Sequence, residues 1–234
     1  MGVKAVLFDM GGTLFIDVNA WQIILDNILR VLRDYGYSVD RASLDSALRD
    51  WTSEVELTEM DRVEYSNVLR VTCALKKLNL PLNPRLVWSI FKAYNSGVVG
   101  GHVLDGDALD VLDRLKSEGY ILGVISNASS YETTYELILR YGLDKYFDLV
   151  ISSQAVVWKK PTREIFHLAC RLLNVKPSET VYVGDDPKND IEGAKMAGLK
   201  AVQRIVEGRV VSNLADAVIY RLSELPRVID KLKQ

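Results

Sequence analysis

The chain has 234 residues, 48% of them hydrophobic and 26% charged, which excludes a disordered polypeptide and supplies apolar surface for one large domain or two small ones. Lys plus Arg (29) nearly balances Asp plus Glu (31), and a net charge of −2 gives no electrostatic basis for nucleic acid or an anionic membrane as partner. No apolar run approaches the ~20 residues of a membrane span. The apolar start, Val3 to Phe8, is too short for a signal peptide and leads straight into Asp9. Cys73 and Cys170 have no metal-type spacing and lie in apolar helical patterns, so the expectation is buried free thiols in a reducing, cytoplasmic setting. A monomer or homodimer is expected.

Val3 to Asp9 reads as a buried strand that stops at a carboxylate, with Gly11-Gly12 allowing a tight turn. From Val18 to Val99 the pattern is helical. Trp21, Ile24, Leu25, Ile28, Leu29 and Leu32 recur at helical spacing before Gly36. A second helix is expected over Ser43 to Val55. A third is expected over Arg62 to Leu78, with Val68, Leu69, Val71, Thr72 and Leu75 inward. A fourth follows Pro81 and Pro84, on Leu86, Val87, Ile90, Phe91 and Tyr94. Four helices without a strand between them imply an inserted bundle, with Gly97, Gly100 and Gly101 as a flexible return.

From Leu104 the pattern alternates. Helices are expected at Ala108 to Glu118, Tyr131 to Tyr141, Thr162 to Leu173, Ile191 to Ala197 and Pro226 to Leu232. Strands are expected at Ile121 to Ile125, Leu149 to Ile151, Thr180 to Val183, Ala201-Val202 and Ala217 to Ile219. The fold class is therefore α/β: a Rossmann-like parallel sheet with helices on both faces plus an inserted all-helical domain. The division is 1–17 and 99–234 for the α/β unit and 18–98 for the helical one.

Ligands of such sheets bind at the carboxyl ends of the strands, where Asp9, Ser126 and Asp185 fall, with Lys160 just before a helix that Pro161 is placed to start. Each has a plain structural use: a turn aspartate, a helix cap, an exposed lysine pair with Lys159, a solvated acidic loop at Asp185, Asp186 and Asp190. Their convergence on one rim is what points to chemistry.

The segments FDMGGTL (Phe8 to Leu14), ISN (Ile125 to Asn127), KKP (Lys159 to Pro161) and VGDDPKNDIEGA (Val183 to Ala194) resemble, in order and spacing, the haloacid dehalogenase-like hydrolase superfamily, in the phosphatase-type subgroup with a helical cap after the first strand. The resemblance implies Asp9 as a nucleophile forming an aspartyl-phosphate and Lys160 as a neutralising cation. It implies Mg²⁺ on Asp9, the Gly11 carbonyl and Asp185. Asp190 or Asp186 would act as an outer-shell acid, Asp190 matching the family spacing better. Ser126, with backbone N–H groups of Asn127 and of the turn through Gly11 and Gly12, would hold the transferring oxygens of a small phosphorylated metabolite.

One position departs from the pattern. Phosphatases of the family carry a second aspartate, the general acid and base, where this chain has Gly11. Its loss removes a contribution of about 10²–10⁴-fold. The favoured reading is a slowed phosphatase, or one acting on acyl or aryl phosphates, with a substrate group or a cap residue supplying the proton; His102 is either that acid or a hinge residue. A dehalogenase-like or phosphonatase-like hydrolase is the alternative. It is disfavoured by the metal-type acidic loop and by the lack of an early cap lysine, since Lys76, Lys77 and Lys92 come late. A non-catalytic binding or regulatory protein is the reading from another class. Trp21, Trp51, Trp88 and Tyr65 serve as bundle core or line the cleft, and Trp158 is expected near its mouth.

Overall fold

The computed structural model describes residues 2–55 and 62–232; residues 56–61 of the expected helical unit lie outside the described residues. Six parallel strands form one sheet in the order β5-β4-β1-β6-β7-β8. They are β1 (Ala5–Phe8), β4 (Ile121–Ser126), β5 (Leu149–Ser152), β6 (Thr180–Gly184), β7 (Lys200–Arg204) and β8 (Ala217–Ile219). The β1 strand lies between β4 and β6, pairing Phe8 with Val124 and with Val183. The chain steps from β1 outward to β4 and β5, then returns to build the other half from β6, so the strand order reverses beside β1. A crevice forms at such a switch point.

Alternation along β1 divides the core. Val6 and Phe8 face one apolar layer with Val124, Val183, Leu112 and Ile229, while Ala5 and Leu7 face the other with Ile125, Ile165, Phe166 and Tyr182. Both faces are buried, as a parallel sheet requires. Helices α5 (Ala108–Ser117) and α10 (Leu225–Leu232) cover the first face. Helix α8 (Arg163–Leu172) and the short α9 (Gly193–Met196) cover the second. Helix α6 (Tyr131–Arg140) and the four-residue α7 (Ser153–Val156) complete the unit.

Four further helices, α1 (Ala20–Asp34), α2 (Arg41–Arg49), α3 (Asn67–Lys77) and α4 (Pro84–Gly100), share a separate apolar cluster built on Ile24, Ile28, Leu48, Val71 and Leu86. Several helix boundaries differ from those expected. The second helix ends at Arg49 and a 3₁₀ turn covers Trp51–Glu54. The third begins only at Asn67, because Ser66 caps it and the preceding chain forms backbone bonds to Val157 and Lys159 instead, bridging Val63 to Trp158. Val68 then faces outward rather than into the bundle, and Cys73 and Ala74 take the inner side.

The glycines at 97 and 100 do not form a flexible return; both belong to α4. A Cβ on Gly97 would stand 2.6 Å from the Ile24 Cα, and one on Gly101 would stand 2.1 Å from the Ala20 Cα. These residues let α1 and α4 approach closely. The entry to and exit from the helical insertion also pair with each other, as an antiparallel ribbon of β2 (Phe15–Asp17) and β3 (His102–Leu104). Three-residue strands leave too little alternation to read from sequence. No helix among the described residues is long and apolar enough to cross a membrane.

Candidate active site

The first strand is apolar to its last residue, and Asp9 follows it with its amide bonded to the Val183 carbonyl at 2.9 Å. The carboxylate is thereby held at the carboxyl edge between β4 and β6. The next turn is closed by Gly12, with φ of 75°. A Cβ there would stand 2.6 Å from the Asp185 carboxyl carbon, so no other residue fits beside Asp185. Gly11 is different: an added Cβ would meet nothing within 4 Å.

Lys160, 1% exposed, enters the same place from the loop before α8. Its ammonium donates to Asp9 Oδ1 at 2.6 Å, Asp190 Oδ1 at 2.7 Å and the Tyr182 hydroxyl at 2.8 Å. All three donors are thus used. The Tyr182 hydroxyl in turn donates a hydrogen bond to the Ile125 carbonyl at 3.0 Å. Asn127 grips the lysine backbone, accepting from its amide at 2.8 Å and donating to its carbonyl at 2.9 Å. Pro161 starts no helix: it lies in a turn, and α8 begins at Arg163 after Thr162.

Asp185 follows β6, and Asp190 sits in a π-helical turn, Pro187–Glu192. Asp190 Oδ2 accepts the Asp186 amide at 2.9 Å, while Gly184 leaves the room this needs, since a Cβ there would lie 2.4 Å from the Asp190 side chain. Asp186 stands apart from the cluster and caps the turn through the amides of Lys188 and Asn189 at 3.0 and 2.8 Å. Of the two acids suggested by spacing, it is therefore Asp190 that reaches the lysine.

Oxygen atoms of Asp9, Asp185 and Asp190 lie within 4.8 Å of one another, all buried. The Asp9 carboxyl is pushed up to about 7 in all: burial raises it most, Lys160 pulls against that, and Asp190 and Asp185 add to the rise. Asp185 is raised too, by burial first, against the hydrogen bond from Arg209. Burial alone would lower Lys160, but Asp190 and Asp9 outweigh it and hold the ammonium above its ordinary value. Three clustered carboxylates against one buried ammonium leave excess negative charge, which suits a divalent cation bound by hard oxygens. Asp190 has both oxygens committed; the oxygens without hydrogen bonds among the described residues are Asp9 Oδ2 and Asp185 Oδ1.

Arg209 was not apparent from the sequence. It reaches in from the segment between β7 and β8, with Nε 2.7 Å from Asp185 Oδ2 and Nη1 2.9 Å from Asp186 Oδ2. Tyr182 carries no sequence signal either, because as one residue of an apolar strand it reads as core. In the Met10–Gly12 turn, the Gly12 amide is not available to a ligand, since it donates to the Phe15 carbonyl at 2.8 Å.

Two cavities meet at this edge. One of about 240 Å³ runs between Gly11, Ser126 and Asn127 and the helical residues Asn67, Arg70 and Tyr94. The other, of about 670 Å³, lies beside Gly12, Asp185 and Arg209. Gly11 and His102 border both. The imidazole Nδ1 of His102 is 2.7 Å from the Val98 carbonyl oxygen. None of the tryptophans lines either cavity. Trp51 packs inside, Trp88 is half exposed, and Trp158 joins Val63 in a backbone bridge.

Residues 3–198 match the family model described as haloacid dehalogenase-like hydrolase. The chain belongs to that hydrolase family. A glyceraldehyde 3-phosphate phosphatase of Pyrococcus furiosus is 31% identical over 237 residues, spanning 99% of this chain and 94% of that protein. A ribulose-1,5-bisphosphate 5-phosphatase of Halopiger xanaduensis is 30% identical over 201 residues, 85% of this chain and 83% of that one. The crystal structure of a phosphatase of the family from Thermococcus onnurineus superposes with a TM-score of 0.70 at 27% identity, over 99% of this chain and 100% of that one. This chain is accordingly a haloacid dehalogenase-like hydrolase, and the relatives it matches along most of its length are named as phosphatases.

Proposed function

We propose that this hydrolase is a Mg²⁺-dependent phosphatase that cleaves a small phosphorylated metabolite, a phosphoric monoester or an acyl phosphate, through an aspartyl-phosphate on Asp9. The observation that carries the reading is the buried Lys160 ammonium, 2.6 Å from Asp9 Oδ1. It fixes one carboxylate oxygen and leaves Oδ2 free to attack phosphorus. A carboxylate approaching a phosphate is repelled unless cations offset the charge, and Lys160 is one such cation.

Mg²⁺, held by Asp9, Asp185 and the Gly11 carbonyl, would supply the second positive charge as a Lewis acid on a phosphoryl oxygen. Asp190 orients Lys160 and stands in the outer shell; Asp186 holds the turn that carries it. Ser126 and the backbone at Asn127 and Gly11 face the cavity that receives the phosphoryl oxygens, and Gly12 shapes the turn around Asp185. In the first step Asp9 Oδ2 forms a bond to phosphorus while the ester P–O bond breaks, and the leaving oxygen collects a proton. In the second, water attacks phosphorus, releases inorganic phosphate and regenerates Asp9, giving up a proton.

Gly11 offers no side chain to handle those protons, so the rate is reduced by about 10²–10⁴-fold relative to a site with a carboxylic acid there. Substrates with good leaving groups suffer least. The helical unit, residues 18–98, acts as a cap that closes over the cleft and selects the substrate. The relatives' names give the size range: glyceraldehyde 3-phosphate and ribulose 1,5-bisphosphate are both small phosphorylated sugars. Buried free thiols at Cys73 and Cys170 accord with a cytoplasmic setting.

The test is release of p-nitrophenol from p-nitrophenyl phosphate with Mg²⁺ and with EDTA. Release that needs the metal and vanishes in Asp9→Asn supports the proposal. Turnover indifferent to EDTA, with halide released from haloacids, would replace it with the dehalogenase reading. No turnover on any phosphoester, acyl phosphate or haloacid by the folded protein would leave a binding protein.

A further inference from the structure

The cavity of about 240 Å³ that Gly11, Ser126 and Asn127 border is lined also by polar residues of α3 and α6. Two buried side-chain atoms there, Arg70 Nε on α3 and Thr134 Oγ1 on α6, have no hydrogen-bond partner among the described residues, and both residues line this same cavity. Thr134 is 2% exposed. A buried donor left unpaired costs free energy, and native structures rarely tolerate it without a use. Two of them facing one space, one from the helical unit and one from the α/β unit, point to a missing acceptor.

Arg70 makes no ion pair among the described residues, and its guanidinium carbon rests 5.4 Å from the Trp51 ring centroid. Two acids on the segments that carry Arg70 and Thr134 make other contacts. Glu64 accepts from Ser129 at 2.7 Å and Ser153 at 3.0 Å, and Glu132 accepts from Asn95 at 3.1 Å. A guanidinium braced on an aromatic face, with an open donor and no carboxylate, is suited to a carboxylate or phosphate ligand.

We propose that the substrate carries a second anionic group remote from the phosphoryl group, and that Arg70, with the Thr134 hydroxyl, binds it and sets the specificity. This rests on the phosphatase reading for the other end of the ligand, where Gly11 and Ser126 border the cavity. The space is smaller than the ~300–1,000 Å³ typical of drug-sized ligands, so the two groups are separated by only a few carbons. Because Arg70 belongs to the helical unit and the phosphoryl site to the sheet, a ligand with both groups ties the two units together. One lacking the remote anion leaves the arginine unpaired.

The experiment compares three phosphate monoesters of equal backbone length: glycerol 3-phosphate, 3-phosphoglycerate and propane-1,3-diol bisphosphate. Binding is read by calorimetry on Asp9→Asn protein, and kcat/KM on the unmodified chain. The expected result is that at least one anionic ester outperforms glycerol 3-phosphate by tenfold or more, as about one charge-assisted pair supplies. Arg70→Met and Thr134→Val, verified as folded by circular dichroism, should shrink that ratio, and Arg70→Lys should restore part of it. The ester that gains identifies the remote group as carboxylate or phosphate. Equal binding of all three, or a ratio untouched in Arg70→Met, overturns the proposal even if phosphate is released. Discrimination in binding with no hydrolysis of any ester upholds the anion site and overturns the phosphatase reading instead.

Discussion

Lys160 Nζ stands 2.6 Å from Asp9 Oδ1, across 151 positions of sequence, with both side chains nearly or wholly removed from solvent. Lysine 160 is what lets two carboxylates, Asp9 and Asp190, coexist in a water-poor place. Replacing it by methionine leaves both without their counter-charge. Lys160→Met should cost about 3–5 kcal/mol, lowering Tm by roughly 2–4 °C for each kcal/mol. It should also cut kcat by at least about 10²-fold. Calorimetric melting at pH 7 and steady-state hydrolysis measure the two losses; an unchanged Tm would mean that the ion pair carries no stability.

Gly11 borders both cavities and has open space where a Cβ would go. Its φ is not positive, so an aspartate there is not strained. Gly11→Asp should raise turnover of alkyl phosphates by about 10²-fold and that of p-nitrophenyl phosphate by much less, because a good leaving group needs little protonation. Equal gains on both would show that proton donation is not what Gly11 lacks.

Gly97 and Gly100 lie one turn apart in α4 and should respond in opposite ways. At Gly97 an added methyl meets the Ile24 backbone, whereas at Gly100 the nearest atom is 3.8 Å away on a flexible Ile23 side chain. Gly97→Ala should destabilise by about 1–3 kcal/mol through forced separation of α1 and α4. Gly100→Ala should be neutral or gain up to ~1 kcal/mol from helix propensity. Urea titrations of the two variants make the comparison.

Asp107 precedes α5 and binds Arg221 at 3.0 Å and the Ser223 hydroxyl at 2.7 Å, joining α5 to the segment leading into α10. The Arg221 hydrogen bonds, then those from Ser223, hold its carboxyl at about 2. An unfolded aspartate titrates near 3.9, so the folded state binds the proton less tightly. The resulting stability is fully present above about pH 4 and is lost as pH falls through about 2. Asp107→Asn should therefore melt below the unmodified chain at neutral pH, with the gap closing between pH 4 and pH 2. A gap that does not depend on pH would assign the loss to shape rather than charge.

Strand-by-strand hydropathy was enough to determine the α/β order, because β1, β4 and β6 are buried on both faces and so are mostly apolar, and a polar residue stands at or just after the end of each. The helical insertion was equally legible, since Ile24, Ile28 and Leu32 repeat at the period of one helix face. Asp9, Ser126 and Asp185 stand out because a charged or hydroxylic residue at the end of an apolar run is a local signal, whereas Lys160 was marked by its place before Pro161. The β2–β3 ribbon did not, because three residues carry no period, and the glycines of α4 resembled a hinge because close helix contact leaves no trace in one helix alone.

What only the tertiary structure decided is who meets whom. Tyr182 is one more apolar strand position until Lys160 is folded against it. Asp190 and Asp186 are equivalent acids until a π-helical turn aims one at the lysine and the other at its own amides. Arg70 and Thr134 are ordinary helix residues until α3 and α6 face each other across one small cavity. Sequence records which groups each segment can present; the distances that turn those groups into a site are set by packing between segments, and packing is a property of the whole chain.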